Sequence, residues 1–126
     1  MTMDRPTAAE LITATRDFLN DKNVPKHSGY NAFQLRIATN VLAIVERELA
    51  IYPEVTMKET AALQALTGSY LTDNKELERD LSEQIRERKV TLDTPGLKEY
   101  LWDSVMTKLA IDQPKYARYR AHLSDK

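Results

Sequence analysis

The sequence predicts an all-α protein: a four- to five-helix up-down bundle with a buried second helix. Three observations carry that expectation. Leu, Ala, Glu, Lys and Arg dominate, and alternating β-branched runs are absent. There are three glycines, Gly29, Gly68 and Gly96, each near a break in helical periodicity. The stretch Phe33–Leu49, FQLRIATNVLAIVEREL, is apolar on two sides when wound as a helix. Phe33, Ile37, Val41 and Ile44 share one face, and Leu35, Ala38, Leu42, Val45 and Leu49 fall nearly opposite. Such a helix is expected to be central, covered by neighbours on both sides.

The elements follow in order. Thr7 and Glu10 form a T-x-x-E capping box that opens a first helix running to about Asp21. Leu11, Ile12, Thr15, Phe18 and Leu19 are its apolar face. Pro25 and Gly29 break the chain before a second helix, expected over about Tyr30 to Ala50 and ending before Tyr52-Pro53. Thr56 and Glu59 match a second capping box, predicting a third helix to about Leu66 with Gly68 as its stop. Asp73 and Glu76 open a fourth, with Leu77, Leu81 and Ile85 as its seam. Thr94-Pro95 reads as a cap followed by proline at the first helical position. That fifth helix should turn Leu97, Leu101, Val105 and Leu109 inward, with Trp102 and Met106 beside them, and end by Asp112. A basic, Tyr-containing arm, residues 113–126, completes the chain and has the makings of one more short helix.

Length and charge bound the function. At 126 residues the chain is expected to form a single domain, residues 1–126. Its formal net charge of −1 gives no global attraction for nucleic acid or an acidic membrane. There is no cysteine, so thiolate chemistry and disulfides are excluded. The polar start MTMDRPTAAEL and the lack of a long apolar run make a soluble cytoplasmic protein the expectation.

Two stretches could bind something. Arg36, Asn40 and Arg47 form a narrow polar stripe between the two apolar faces of the second helix. Arginine suits planar anions or a partner's carboxylate; equally, both arginines can pair with acids on neighbouring helices. The second stretch is Lys108–Tyr116, KLAIDQPKY, with Lys108, Asp112, Tyr116 and then Arg118. An aromatic, basic arm of this kind either docks a partner or folds its tyrosines back onto the bundle. Catalytic patterns are missing from the sequence. No glycine-rich phosphate loop, GxSxG elbow or Glu-x-x-His pair occurs, and His27 and His122 are not at metal-ligand spacing. No catalytic residue, cofactor or metal is expected.

Three pieces, RPTAAEL at Arg5–Leu11, FQLRIATNVLAIVEREL at Phe33–Leu49 and KLAIDQPKY at Lys108–Tyr116, together resemble a small bacterial domain family of unknown function. Gln113 stands where that family's pattern has asparagine. Members lie beside aminoglycoside-phosphotransferase-like kinases and acyl-CoA dehydrogenases. One relative is the small accessory subunit of the 4-hydroxyacyl-CoA kinase of levulinate-type catabolism. The resemblance implies a non-catalytic accessory subunit that supports a phosphotransferase acting on hydroxyacyl-CoA, with acyl-CoA a candidate at the shared site. The alternative is a stand-alone helical ligand-binding or regulatory domain, for which a homo-oligomer is a natural form.

Overall fold

The computed structural model describes residues 6–21 and 29–125. Arg5 of the first motif, and Pro25 and His27 of the first link, lie outside them. Among the described residues the chain is all-α, with five helices: α1 (Ala8–Asn20), α2 (Tyr30–Thr67), α3 (Asn74–Arg86), α4 (Leu97–Asp112) and α5 (Ala117–Ser124). Contacts gather the chain into two compact units, Met1–Ala50 and Ile51–Lys126, which share α2.

Several local signals act as read. Thr7 caps α1, its hydroxyl accepting the Glu10 N–H at 3.1 Å. Asp73 caps α3 by accepting the Lys75 N–H at 3.0 Å. Gly68, at φ +71°, takes the left-handed conformation that stops α2, and its N–H reaches the Gln64 carbonyl at 2.8 Å. The C-terminal arm forms α5.

Two helix boundaries differ from expectation. The second and third predicted helices are one helix of 38 residues, with Pro53 inside it. Proline removes one ladder hydrogen bond, yet its fixed φ suits a helix. The strong formers Glu48, Leu49 and Ala50 before it and Met57, Lys58 and Glu59 after it continue the helix across the weaker Ile51, Tyr52, Val55 and Thr56. Thr56 is therefore no N-cap: its hydroxyl donates to the Tyr52 carbonyl one turn back at 2.7 Å. Tyr52-Pro53, inside the continuous helix, falls close to the boundary of the two units instead. Thr94-Pro95 also lies outside its predicted helix. The Thr94 hydroxyl accepts the Thr91 N–H at 2.9 Å, and α4 starts only after Gly96, whose φ of +91° is not helical.

In the first unit, the expectation of a buried second helix is not met. Residues 30–50 of α2 include no buried side chain. Contact with α1 explains which side is covered. The Thr13 hydroxyl donates to Glu46 Oε1 at 2.7 Å, and the Arg16 guanidinium closes on the same carboxylate, Nε lying 2.6 Å from Oε2. Leu35, Leu42 and Glu46 occupy that side of α2 and are half-buried. On α1, Ile12, Thr13, Arg16 and Leu19 are half-buried, while Leu11 and Phe18 are exposed.

The second unit holds the core. Leu63 of α2, Leu77 and Leu81 of α3, Val90 of the following loop, and Leu97 and Tyr100 of α4 are buried together, with Ala62 and Leu66 packed against them. Helix α3 turns Leu77 and Leu81 inward as its seam predicts. Helix α4 turns differently: Leu97, Tyr100 and Ile111 are buried, whereas Leu101, Trp102 and Val105 are exposed. Polar bonds tie the loops down. The Gln84 amide donates to the Thr67 carbonyl at 3.0 Å, and the Thr60 hydroxyl reaches Asn74 Oδ1 at 2.6 Å.

Candidate functional site

Two surfaces stand out, one in each unit. In the first, the α2 face turned away from α1 carries an apolar row. Tyr30 (74 % exposed), Phe33 (51 %), Ile37 (42 %) and Val41 (51 %) lie on it, with half-buried Ile44. At 100° per residue these five fall within an arc of about 80°. A helix normally turns such a row to a core.

The Arg36–Asn40–Arg47 stripe borders this row. Arg36 and Asn40 are exposed, and Arg47 is half-buried. The three share an edge but do not converge, because Arg36 and Arg47 are separated by about 16 Å of helix rise. Arg47 is occupied with local electrostatics: together with Arg16 its charge helps hold the Glu46 carboxyl below the usual range. The largest contributions to that shift are the hydrogen bonds from Thr13 and Arg16.

In the second unit, α4 and the second half of α2 flank a groove that encloses about 520 Å³. Val55, Lys58, Glu59 and Ala62 line it at the i, i+3, i+4, i+7 spacing of one helix face. Glu99, Tyr100, Asp103, Met106 and Thr107 face them from α4, with Gly96 at one end. Val55, Ala62 and Met106 supply apolar surface, and the charged lining is three acids against one lysine. Burial raises the Glu59 carboxyl, the nearby Glu78 charge raises it further, and Lys108 and a hydrogen bond from Tyr52 oppose the shift. Burial, followed by the charges of Glu78 and Glu59, pushes the Tyr100 phenol up to about 12. A perturbed carboxyl and a perturbed phenol in one concave site mark it as a binding candidate.

Lys108 thus acts on this groove through Glu59. The other residues of its motif sit elsewhere. Asp112 is exposed at the end of α4, and Tyr116 and Arg118 are exposed at the start of α5. The arm is partly folded back, since His122 meets Trp102 edge-on at 4.7 Å and Tyr119 is half-buried. Sequence reasoning missed the groove. The sequence reads Glu59 as part of a capping box, although Val55, Glu59 and Ala62 have the spacing of a shared face. Among the described residues no group of three or more His, Cys, Asp or Glu is placed to hold a metal ion, and no helix is long and apolar enough to cross a membrane.

No curated protein and no solved structure matches the chain. A family model described as a domain of unknown function, DUF6285, matches residues 25–116. That span contains the apolar row of α2, the arginine-bordered edge, the groove and the KLAIDQPKY motif. The chain belongs to the DUF6285 family.

Proposed function

We propose that this chain is a bacterial, cytoplasmic accessory subunit without catalysis of its own, which binds an aminoglycoside-phosphotransferase-like kinase and supports its action on a hydroxyacyl-CoA. The observation that carries the reading is the exposed apolar row Tyr30–Phe33–Ile37–Val41, set opposite the side of α2 that α1 covers. A row of this kind is the usual mark of a protein-binding surface. The sequence adds support, since it has no phosphate loop of its own and its motifs resemble those of a kinase accessory subunit. Phosphoryl transfer depends on positioning, so a small helical partner raises the rate by holding the acyl-CoA or a lid in place.

The test is co-expression with an aminoglycoside-phosphotransferase-like kinase from the same cells. The two chains should co-purify, and adding this chain should raise phosphorylation of a 4-hydroxyacyl-CoA. Full kinase activity in its absence overturns the reading. The groove of the second unit favours a second reading, a helical ligand-binding or regulatory domain, because its volume suits a small molecule. A ligand that shifts the signals of Glu59 and Tyr100, with no kinase bound, selects that reading.

A further inference from the structure

We infer that the apolar row of α2 is the seat for one amphipathic helix of another protein, about four turns long and acidic along one edge. The inference rests on the accessory-subunit reading for the existence of a partner, and it names the element that docks. Tyr30, Phe33, Ile37, Val41 and Ile44 step by three or four residues, the ridge along which helices interlock. From Tyr30 to Ile44 the row rises about 21 Å, the length of roughly four helical turns. A narrow straight ridge matches a single helix better than a broad flat surface.

Charge along the edges decides what kind of helix fits. One edge carries Arg36, Asn40 and Arg47, and Arg36 is exposed. The other carries Gln34, Ala38 and Val45, with no charge. Glu48 closes the row at its C-terminal end. A docking helix therefore gains from a carboxylate beside the exposed Arg36 and from none on the other edge.

A second copy of this chain does not meet that demand. Antiparallel pairing about a two-fold axis lays arginine edge on arginine edge, like charge on like. Parallel pairing lays each arginine edge on the uncharged Gln34–Ala38 edge. With the two rows in register, neither arrangement lays a carboxylate beside Arg36, since Glu48, the row's acid, lies beyond its C-terminal end.

The test places the photocrosslinking residue benzoylphenylalanine at Val41 of the full chain, in the cells it comes from, and sequences the peptide captured. A control carries it at Tyr70, far along the chain and almost fully exposed. Expected from Val41, and not from Tyr70, is a peptide of another protein with helical apolar spacing and Asp or Glu along one side. Arg36→Glu should lower its capture at least tenfold while leaving the helical circular-dichroism signal unchanged. Capture of a second copy, of another segment of the same chain, of a basic segment, or of nothing overturns the inference. The two readings fail separately. An acid-edged helix from a protein that is not a kinase removes the accessory-kinase reading and leaves this inference standing. A kinase that co-purifies and is stimulated, with no capture at Val41, does the reverse.

Discussion

Raising the pH past 10 should set Tyr100 against the fold. Its phenol is pushed up to about 12 by burial and by the carboxylates of Glu78 and Glu59. In the unfolded chain the same phenol ionises near 10. The folded state therefore prefers the neutral form, and the associated stability is whole below pH 10 and lost as pH rises through about 12. A rise from 10 to about 12 corresponds to about 2.7 kcal/mol. Solvent at the open side of the groove screens the carboxylates, so a loss of about 1–2 kcal/mol is expected. The assay is the near-ultraviolet absorbance of tyrosinate, followed by rapid pH jumps before unfolding. The wild-type titration should include a late component, and Tyr100→Phe should diminish it. Glu59→Gln should move the late component toward the ordinary range, because one repelling charge is gone. A wild-type protein without a late component, or a late component that Tyr100→Phe leaves undiminished, would show that the groove floor is hydrated and the argument wrong.

Other outcomes are expected from single residues. Arg88 sits at φ +62° just after α3, where its N–H reaches the Ile85 carbonyl and the Lys89 N–H reaches Gln84. Arg88→Gly should therefore stabilise the protein by about 1 kcal/mol, raising Tm by a few degrees in calorimetry. Leu63 is fully buried, so Leu63→Ala should cost about 3–4 kcal/mol, read as a lower urea midpoint. The Glu46 carboxyl is held below its usual value, so its contribution is present above pH 4.5 and lost as pH falls through the lowered value. Contacts of α1 with α2 should weaken there first, with Thr13 and Arg16 signals shifting before those of Leu77, and Glu46→Gln should abolish that acid response.

The all-α class and three of the helix ends were legible because they depend on neighbours a few residues away. Thr7, Gly68 and Asp73 act through bonds within one turn, so spacing alone finds them. What covers a helix face depends on residues far away in the chain. Leu42 and Ile37 look equally apolar, yet α1 supplies Thr13 and Arg16 to the Glu46 side, while Ile37 on the opposite side is exposed. Helix α4 failed for a related reason. Its apolar residues go all the way round, so periodicity does not choose between the row of Leu101 and Val105 and the row of Tyr100 and Ile111 that is buried. Pro53 misled in the other direction, since a proline signals a break that good helix formers on both sides overrode.

The charge of the groove also decides where an acyl-CoA can meet this chain. Coenzyme A carries a pyrophosphate and a ribose phosphate, so its head group is strongly anionic. Glu59, Glu99 and Asp103 line the groove against Lys58 alone, and Lys108 is already opposed to Glu59. An anion entering there meets carboxylates at short range in a partly desolvated site, where repulsion is strongest. A group of exposed cations lies on the arm instead: Lys115 in the turn after α4, and Arg118 and Arg120 on α5. On the accessory-subunit reading, an acyl-CoA head group is therefore expected beside that arm rather than in the groove. Titrating free coenzyme A into the protein should leave the groove signals of Glu59, Tyr100 and Asp103 unmoved. With the kinase present, Arg118→Ala combined with Arg120→Ala should raise KM for the acyl-CoA severalfold and leave kcat little changed. A groove signal that saturates with coenzyme A would place the nucleotide among the carboxylates and refute the electrostatic argument.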